Sequence, residues 1–520
     1  MPLCDLISKN KSRKSPSNKA ATCRRSKRLQ LRNHVLKSQL DHMRQQFLEI
    51  KKRLNNTVRG LEIANAELAL RSAIEQPASN LAILRERAMP SFQFNLTTIA
   101  TAIELGKRVG FRAASDVMNI VFDMLGIEIK VPSHDAIEQW TLRLGVALSK
   151  DTFKKEERVL WMVDHSSQIG KERLLLIVGV ALDNLPPPDQ TLTFDKLKVL
   201  AMVPGQSWKK EDVEREYLKL AEQIGAPVYL LCDGAVELRE PAEKLQNDGQ
   251  KTIVLGDLKH RAANVLEKEI SRGGRFQAFL TEVGLTRNRV QQTELDQFAP
   301  STLRSKSRFM NLGPLFKWAT MVLYHLNTPG SDARTEISEE RMEQKLGWLR
   351  EYTSDLDSWN QCQEVIDRSL SVINLHGLDA QTEELVERSL SEHNPNWRNE
   401  DCSSTRIAVQ LIDWIKQSSG KLIPGERSWL STEILESLFG KYKQVERQHS
   451  KGGFTRLIAA IPTLCVQATR EIVRQAFKAV DSKATQKWIK DSLGKTLTAR
   501  RNAAYRESRE KTCNQLSIAN

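Results

Sequence analysis

The residues of this 520-residue chain best suited to chemistry are carboxylates. Asp164 closes the apolar segment VLWMVD (159–164), and Asp233 closes PVYLLCD (227–233). Much later, Glu433 and Glu436 stand three apart in STEILESLFGKYK, which puts them on neighbouring parts of one helical face. Hard oxygen donors at this density suit two Mg²⁺ or Mn²⁺ ions a few ångströms apart. Such a pair activates a water or a 3′-hydroxyl and stabilises the leaving oxygen in phosphodiester cleavage, so no His, Ser or Cys nucleophile is required. Either glutamate could complete the set. Glu436 is favoured because Lys441 and Lys443 follow about one and two turns on, within reach of the phosphates of the same strand. Glu433 lies beside the cap residues Ser431 and Thr432 and can serve the helix start instead. An aspartate after a strand is also common turn chemistry, so the pair gains its weight from the elements that place it.

Those elements follow from the hydrophobic period. Strand-like runs occupy 159–164, 174–183 and 196–203. A helical pattern follows at 211–225, a strand at 227–233, a short helix, and a fifth strand at 251–257. Three strands, a helix, a strand, a helix and a strand is the order of a ribonuclease-H-like core. In that order the first and fourth strands lie side by side, and Asp164 and Asp233 emerge at one edge. The expected class is α/β, a ribonuclease-H-like mixed sheet with all-α N-terminal, insertion and C-terminal regions.

The rest of the chain divides by composition. Residues 1–27 read as a basic disordered tail. Residues 28–90 read as a coiled coil or helical hairpin: Leu36, Leu40, Met43, Phe47, Ile50 and Leu54 form a heptad seam that slips at Asn55-Asn56 and ends before Pro77. Residues 91–150 read as a helix-turn-helix-like DNA-binding module, with Ser133, His134, Asp135 and Gln139 near the start of its second helix. The first part of the core spans 155–260, an all-helical insertion 261–425, the end of the core with its glutamate helix 426–460, and a basic helical region 461–520. Trp318, Trp348, Trp359, Trp397 and Trp414 fall in the insertion. They are expected mostly as core residues; stacking on a flipped base is the other use of such rings.

Charge is uneven. Residues 1–60 hold 16 Lys/Arg against 3 Asp/Glu, residues 441–520 hold 17 against 6, and the 380 between hold 45 against 55. Two basic ends around an acidic body suggest a polyanion gripped by the ends, or basic tails that only solvate. Arg470, Arg474 and Lys478, with further lysines up to Lys495, form a candidate phosphate-tracking surface. Seven scattered cysteines without a CxxC pair argue against a disulfide framework or zinc finger and fit a reducing cytoplasm. The longest apolar run, Leu174 to Leu182, is too short to span a bilayer, and no apolar stretch follows the basic N-terminus, so neither a membrane partner nor a secretory signal is expected. Nothing resembles a phosphate-cradling glycine loop, which argues against an ATP-driven mechanism.

The order Asp164, Asp233, long insertion, ESLFGKYK resembles the DDE-type transposases of bacterial insertion sequences, over about residues 159–460. The helical insertion is similar to that of hAT-type transposases, in which a cysteine and a histidine two residues apart follow the fifth strand. Here DLKH stands in that place: His260 matches and Asp257 replaces the cysteine. The resemblance implies an enzyme that binds the terminal inverted repeats of its element and carries out two-metal DNA cleavage and strand transfer. It also implies a role for His260 near the scissile phosphate, double-stranded transposon-end and target DNA as partners, at least a homodimer, and a cytoplasmic, nucleoid-associated site of action in a bacterium. For His260 the residues also allow a plain helix-start histidine capped by Asp257. The competing functions are a nuclease on the same core, a transposase-derived DNA-binding protein that no longer cuts, and a coiled-coil scaffold.

Overall fold

The computed structural model describes residue 88 and residues 92–507, apart from 127, 168–172, 206, 248, 273, 303–307, 329, 331–336, 400, 450–455 and 494–501. The basic tail and the heptad seam lie outside the described residues.

A five-stranded sheet runs through the middle of the chain. Its strands are β1 (Val159–Ser167), β2 (Arg173–Ala181), β3 (Lys198–Gly205), β4 (Tyr229–Cys232) and, after a two-residue hairpin of β5 (Gln246–Asn247) and β6 (Gln250–Lys251), β7 (Ile253–Gly256). The spatial order is β3-β2-β1-β4-β7. β1, β2 and β3 pair antiparallel, and β4 and β7 add parallel to β1. This is the mixed α/β, ribonuclease-H-like sheet that the strand order predicts. β2 is buried along nearly its whole length, which is why its sequence, RLLLIVGVA, is a continuous apolar run rather than an alternating one.

One expectation needs correction. Asp164 does not end β1, which continues to Ser167 opposite Arg173 of β2. The local pattern changes at Asp164 because the parallel ladder to β4 stops at Val163, while the antiparallel ladder to β2 goes on.

Each face of the sheet is covered by helices. Trp161 and Val163 share a buried cluster with Val213, Tyr217 and Leu220 of α4 (Lys210–Ile224) and Leu238 of α5 (Val236–Ala242). Side chains alternate along a strand, so Asp164 points to the opposite face.

Ahead of the sheet stand α1 (Leu96–Val109), α2 (Phe111–Met124) and α3 (His134–Leu148). Ser133 caps α3 by accepting from the Ala136 N–H at 3.3 Å. α3 is buried at Ile137, Trp140, Thr141, Leu142, Leu144, Gly145, Val146 and Ala147; near its start Asp135 is exposed and Gln139 half-buried. At Gly145 a Cβ would stand 1.7 Å from the Ala459 carbonyl oxygen, so α3 seats against the 3-10 segment Arg456–Cys465 at a position only glycine permits.

Between β7 and the glutamate helix come α6 (Leu258–Ile270), α7 (Arg275–Val290), α8 (Gly313–Asn327), α9 (Glu339–Leu346), α10 (Thr353–His376), α11 (Thr382–His393) and α12 (Ser403–Ser419). Many of their aromatics are core: Trp359 packs against Phe276, Phe279 and Phe316 at 5.1, 5.1 and 5.9 Å between ring centroids. Trp318 and Trp348 spend their N–H groups on Phe298 O (2.7 Å) and Thr286 Oγ1 (2.9 Å). The insertion is tied back where Leu378 and Ser428 exchange backbone bonds of 2.9 Å each way. Gly377, at φ +82°, admits that contact: a Cβ there would lie 2.7 Å from Ser428 O. The chain then forms α13 (Glu433–His449), α14 (Arg470–Ala479) and α15 (Ser482–Leu493). Among the described residues no helix is long and apolar enough to cross a membrane.

Candidate active site

The parallel strands β1, β4 and β7 are in register, Val163 beside Cys232 and Cys232 beside Gly256. The next residue on each is an aspartate: Asp164, Asp233 and Asp257. Three carboxyl groups therefore stand in one row just past the end of the parallel ladders.

They are not alike. Asp257 is the N-cap of α6 and is 2% exposed. Its Oδ1 accepts from the His260 N–H at 2.7 Å and lies 3.0 Å from His260 Nδ1. Its Oδ2 accepts from the Thr432 N–H at 2.5 Å and from Thr432 Oγ1 at 2.8 Å. Beside it, the Leu258 N–H donates to Leu430 O at 2.9 Å. Burial alone would push the Asp257 carboxyl up; the bonds from His260 and Thr432 outweigh it and leave its pKa below the usual range. Asp257 thus fastens the start of α13 to the sheet edge.

Asp164 accepts a short bond, 2.6 Å, from the neighbouring His165 N–H. Burial, and after it the charge of Asp233, drive its pKa up to about 7. His260 draws the pKa down and Glu436 pushes it up, so both lie within electrostatic reach. Asp233 Oδ1 accepts from the Ala235 N–H at 2.8 Å, an Asx-turn completed by Gly234 at φ +87°. His260 has its pKa raised: burial disfavours its cation, but the bond and charge of Asp257 outweigh that, and Asp233 and Asp164 add to it.

α13 crosses β1 and brings the glutamates to this edge. Glu433 and Glu436 both pair with the ammonium of Lys259 in the first turn of α6, at 3.0 and 2.9 Å. Glu433 also accepts from Asn374 Nδ2 of α10 at 2.6 Å. Burial opposes the Lys259 charge, yet its bonds to Glu436 and Glu433 leave its pKa raised. Among the described residues no three His, Cys, Asp or Glu side chains converge closely enough to hold an ion as they stand. The donor set still fits divalent cations: hard oxygens on adjacent strands, one of them holding its proton to about pH 7 because burial and the charge of Asp233 outweigh the pull of His260.

The basic residues separate into two groups. Lys441, on α13, lies over the Phe194 ring at 3.7 Å from its centroid, and Lys443 is half-buried. Arg470, Arg474 and Lys478 recur every four residues on α14, away from its buried Val473, Ala476 and Phe477. Of these, Arg470 is half-buried, Arg474 pairs with Glu471, and Lys478 is exposed. α14 packs on α1 and α3.

Two residues of the site escaped the sequence reading, Thr432 as a partner of Asp257 and Lys259 as a partner of both glutamates. Asp257 to Thr432 spans 175 positions, and no local pattern reports such a contact. The dipeptide Leu258-Lys259 inside DLKH was the only available cue to the lysine.

No family model matches the chain, and no curated protein matches it either. Among solved structures, a chain of the Drosophila P element transposase strand transfer complex is similar, with a TM-score of 0.41 at 13% identity, covering 78% of this chain and 100% of that one. The fold assignment rests on the strand order described above and not on that likeness.

Proposed function

We propose that the chain is a DDE-type transposase that binds the ends of a mobile element, cleaves there, and joins the exposed 3′-hydroxyls to target DNA. The observation that carries this reading is the adjacency of Asp164 and Asp233 on β1 and β4, with the Asp164 carboxyl raised to about 7 and under the influence of Glu436. Asp164, Asp233 and Glu436 would hold two Mg²⁺ or Mn²⁺ ions. When bound, these supply an activated water or 3′-hydroxyl and stabilise the leaving oxygen. Glu436 is preferred to Glu433 because its charge acts on Asp164, while Glu433 is anchored to Asn374.

His260 is oriented by Asp257 through Nδ1, and the carboxylates around it favour its cation, which can meet an oxygen of the scissile phosphate. Lys441 and Lys443 lie farther along the same helix, suited to the strand that leads into the site. Arg470, Arg474 and Lys478 would grip double-stranded DNA elsewhere on the molecule. Joining two ends calls for at least a homodimer. The sequence resembles bacterial insertion-sequence enzymes, and on that reading the chain acts on nucleoid DNA in the cytoplasm.

The test is to incubate supercoiled plasmid with the protein and Mn²⁺, beside Asp233→Asn and an EDTA control, and then to supply the element's own ends. Metal-dependent nicking lost in the variant, and strand transfer with those ends, is the expected result. Nicking that survives in Asp233→Asn would end the reading.

A further inference from the structure

We propose that Lys259 is the built-in counter-ion of the third carboxylate: it holds Glu436 on its ammonium, and Glu436 must leave it before joining Asp164 and Asp233. This rests on the reading of those three carboxylates as a cation-binding set.

The first turn of α6 is fixed by the Asp257 cap, and α13 is fixed by the same aspartate through Thr432. Lys259 and the two glutamates are therefore carried toward each other by one rigid junction. The lysine side chain is 14% exposed, against 35% for Glu433 and 38% for Glu436. One ammonium with three donors on a flexible stem can serve two carboxylates and release one. Which one it releases is set by the neighbours. Glu433 has a second donor in Asn374, whereas among the described residues the Glu436 carboxylate is bonded to Lys259. Glu436 is engaged on the α6 side, at 2.9 Å from the Lys259 ammonium. Once freed, the ammonium remains anchored to Glu433 at the margin of the site. The lysine therefore sets the threshold for cation binding.

Isothermal titration of the full chain with Mn²⁺ alone tests this. Lys259→Met removes the competing charge and is expected to bind Mn²⁺ about tenfold more tightly than the wild type. Lys259→Gln, which keeps a hydrogen-bond donor without the charge, is expected to move the same way and guards against a packing fault in the methionine variant. Lys259→Arg is expected to stay at the wild-type value. Equal or weaker Mn²⁺ binding by both neutral variants would overturn the proposal. Asp233→Asn is run alongside: if it binds Mn²⁺ as tightly as the wild type, the cation-binding set itself is wrong, a failure distinct from that of Lys259.

Discussion

Asp164 and Asp257 occupy the same row of the same sheet, with β4 and Asp233 between them, yet the protein uses them in opposite ways. Asp257 meets two backbone N–H groups, a hydroxyl and an imidazole, and its pKa is lowered. Asp164 meets one backbone N–H, faces a second carboxylate, and its pKa rises to about 7. Burial is common to both, so burial does not separate them. The supply of donors does. A buried carboxylate whose charge is satisfied from within is a fastening; one whose charge is left unsatisfied is the kind of group the proposed cation site calls for.

The widest separation between the two is expected in activity. Asp164→Asn and Asp233→Asn should each lower Mn²⁺-dependent cleavage roughly a thousandfold while the thermal midpoint stays level or rises, since a buried like-charge contact is relieved. A comparable cleavage rate in either variant would remove the distinction. Glu436→Gln should lower cleavage about a hundredfold and Glu433→Gln less than tenfold, measured on the same plasmid. The reverse order would make Glu433 the third carboxylate.

Asp257→Ala should act on stability instead. It strips the partners from the buried Thr432 N–H and hydroxyl and from His260, costing about 3 kcal/mol in denaturant unfolding. A cost near zero would mean that α13 is held by other contacts.

The pH response sharpens the same contrast at smaller amplitude. An unfolded aspartate titrates near about 3.9, the folded Asp164 at about 7. Between those values the folded state binds a proton that the unfolded state has lost, so stability falls as pH rises. His260, with its pKa raised, contributes in the same direction: its share is full below its unfolded pKa and is lost as pH passes the folded one. The midpoint of the metal-free protein should drop by roughly a few degrees from pH 5 to pH 8, and Asp164→Asn should flatten the slope. An unchanged slope in that variant would mean that Asp164 titrates like an ordinary carboxylate.

Much of this arrangement was legible before any coordinates. The runs ending at Asp164 and Asp233 are strand-like because the interior strands of a covered sheet are apolar on both faces, and the order of strands and helices fixes β1 beside β4. The end of β1 was misplaced because an aspartate looks like a terminus whether one ladder stops or two. Asp257 was visible as a helix cap, but its hold on Thr432 was not, since the two are joined only through the return of the chain after the whole helical insertion. Lys259 was hidden for the same reason: a surface-type residue in a helix's first turn is uninformative until the opposing helix is in place. The second helix of the helix-turn-helix-like module shows the limit of period alone, because the fold buries six residues of HDAIEQWTLRLG.

The central claim is that Asp164 is a carboxylate waiting for a cation. The most direct measurement is thermal unfolding at pH 7.5 with and without Mn²⁺, on the wild type and on Asp164→Asn. A ligand that binds only the folded state raises the midpoint. Mn²⁺ should raise the midpoint of the wild type and leave Asp164→Asn where it was; an equal rise in both would contradict the account.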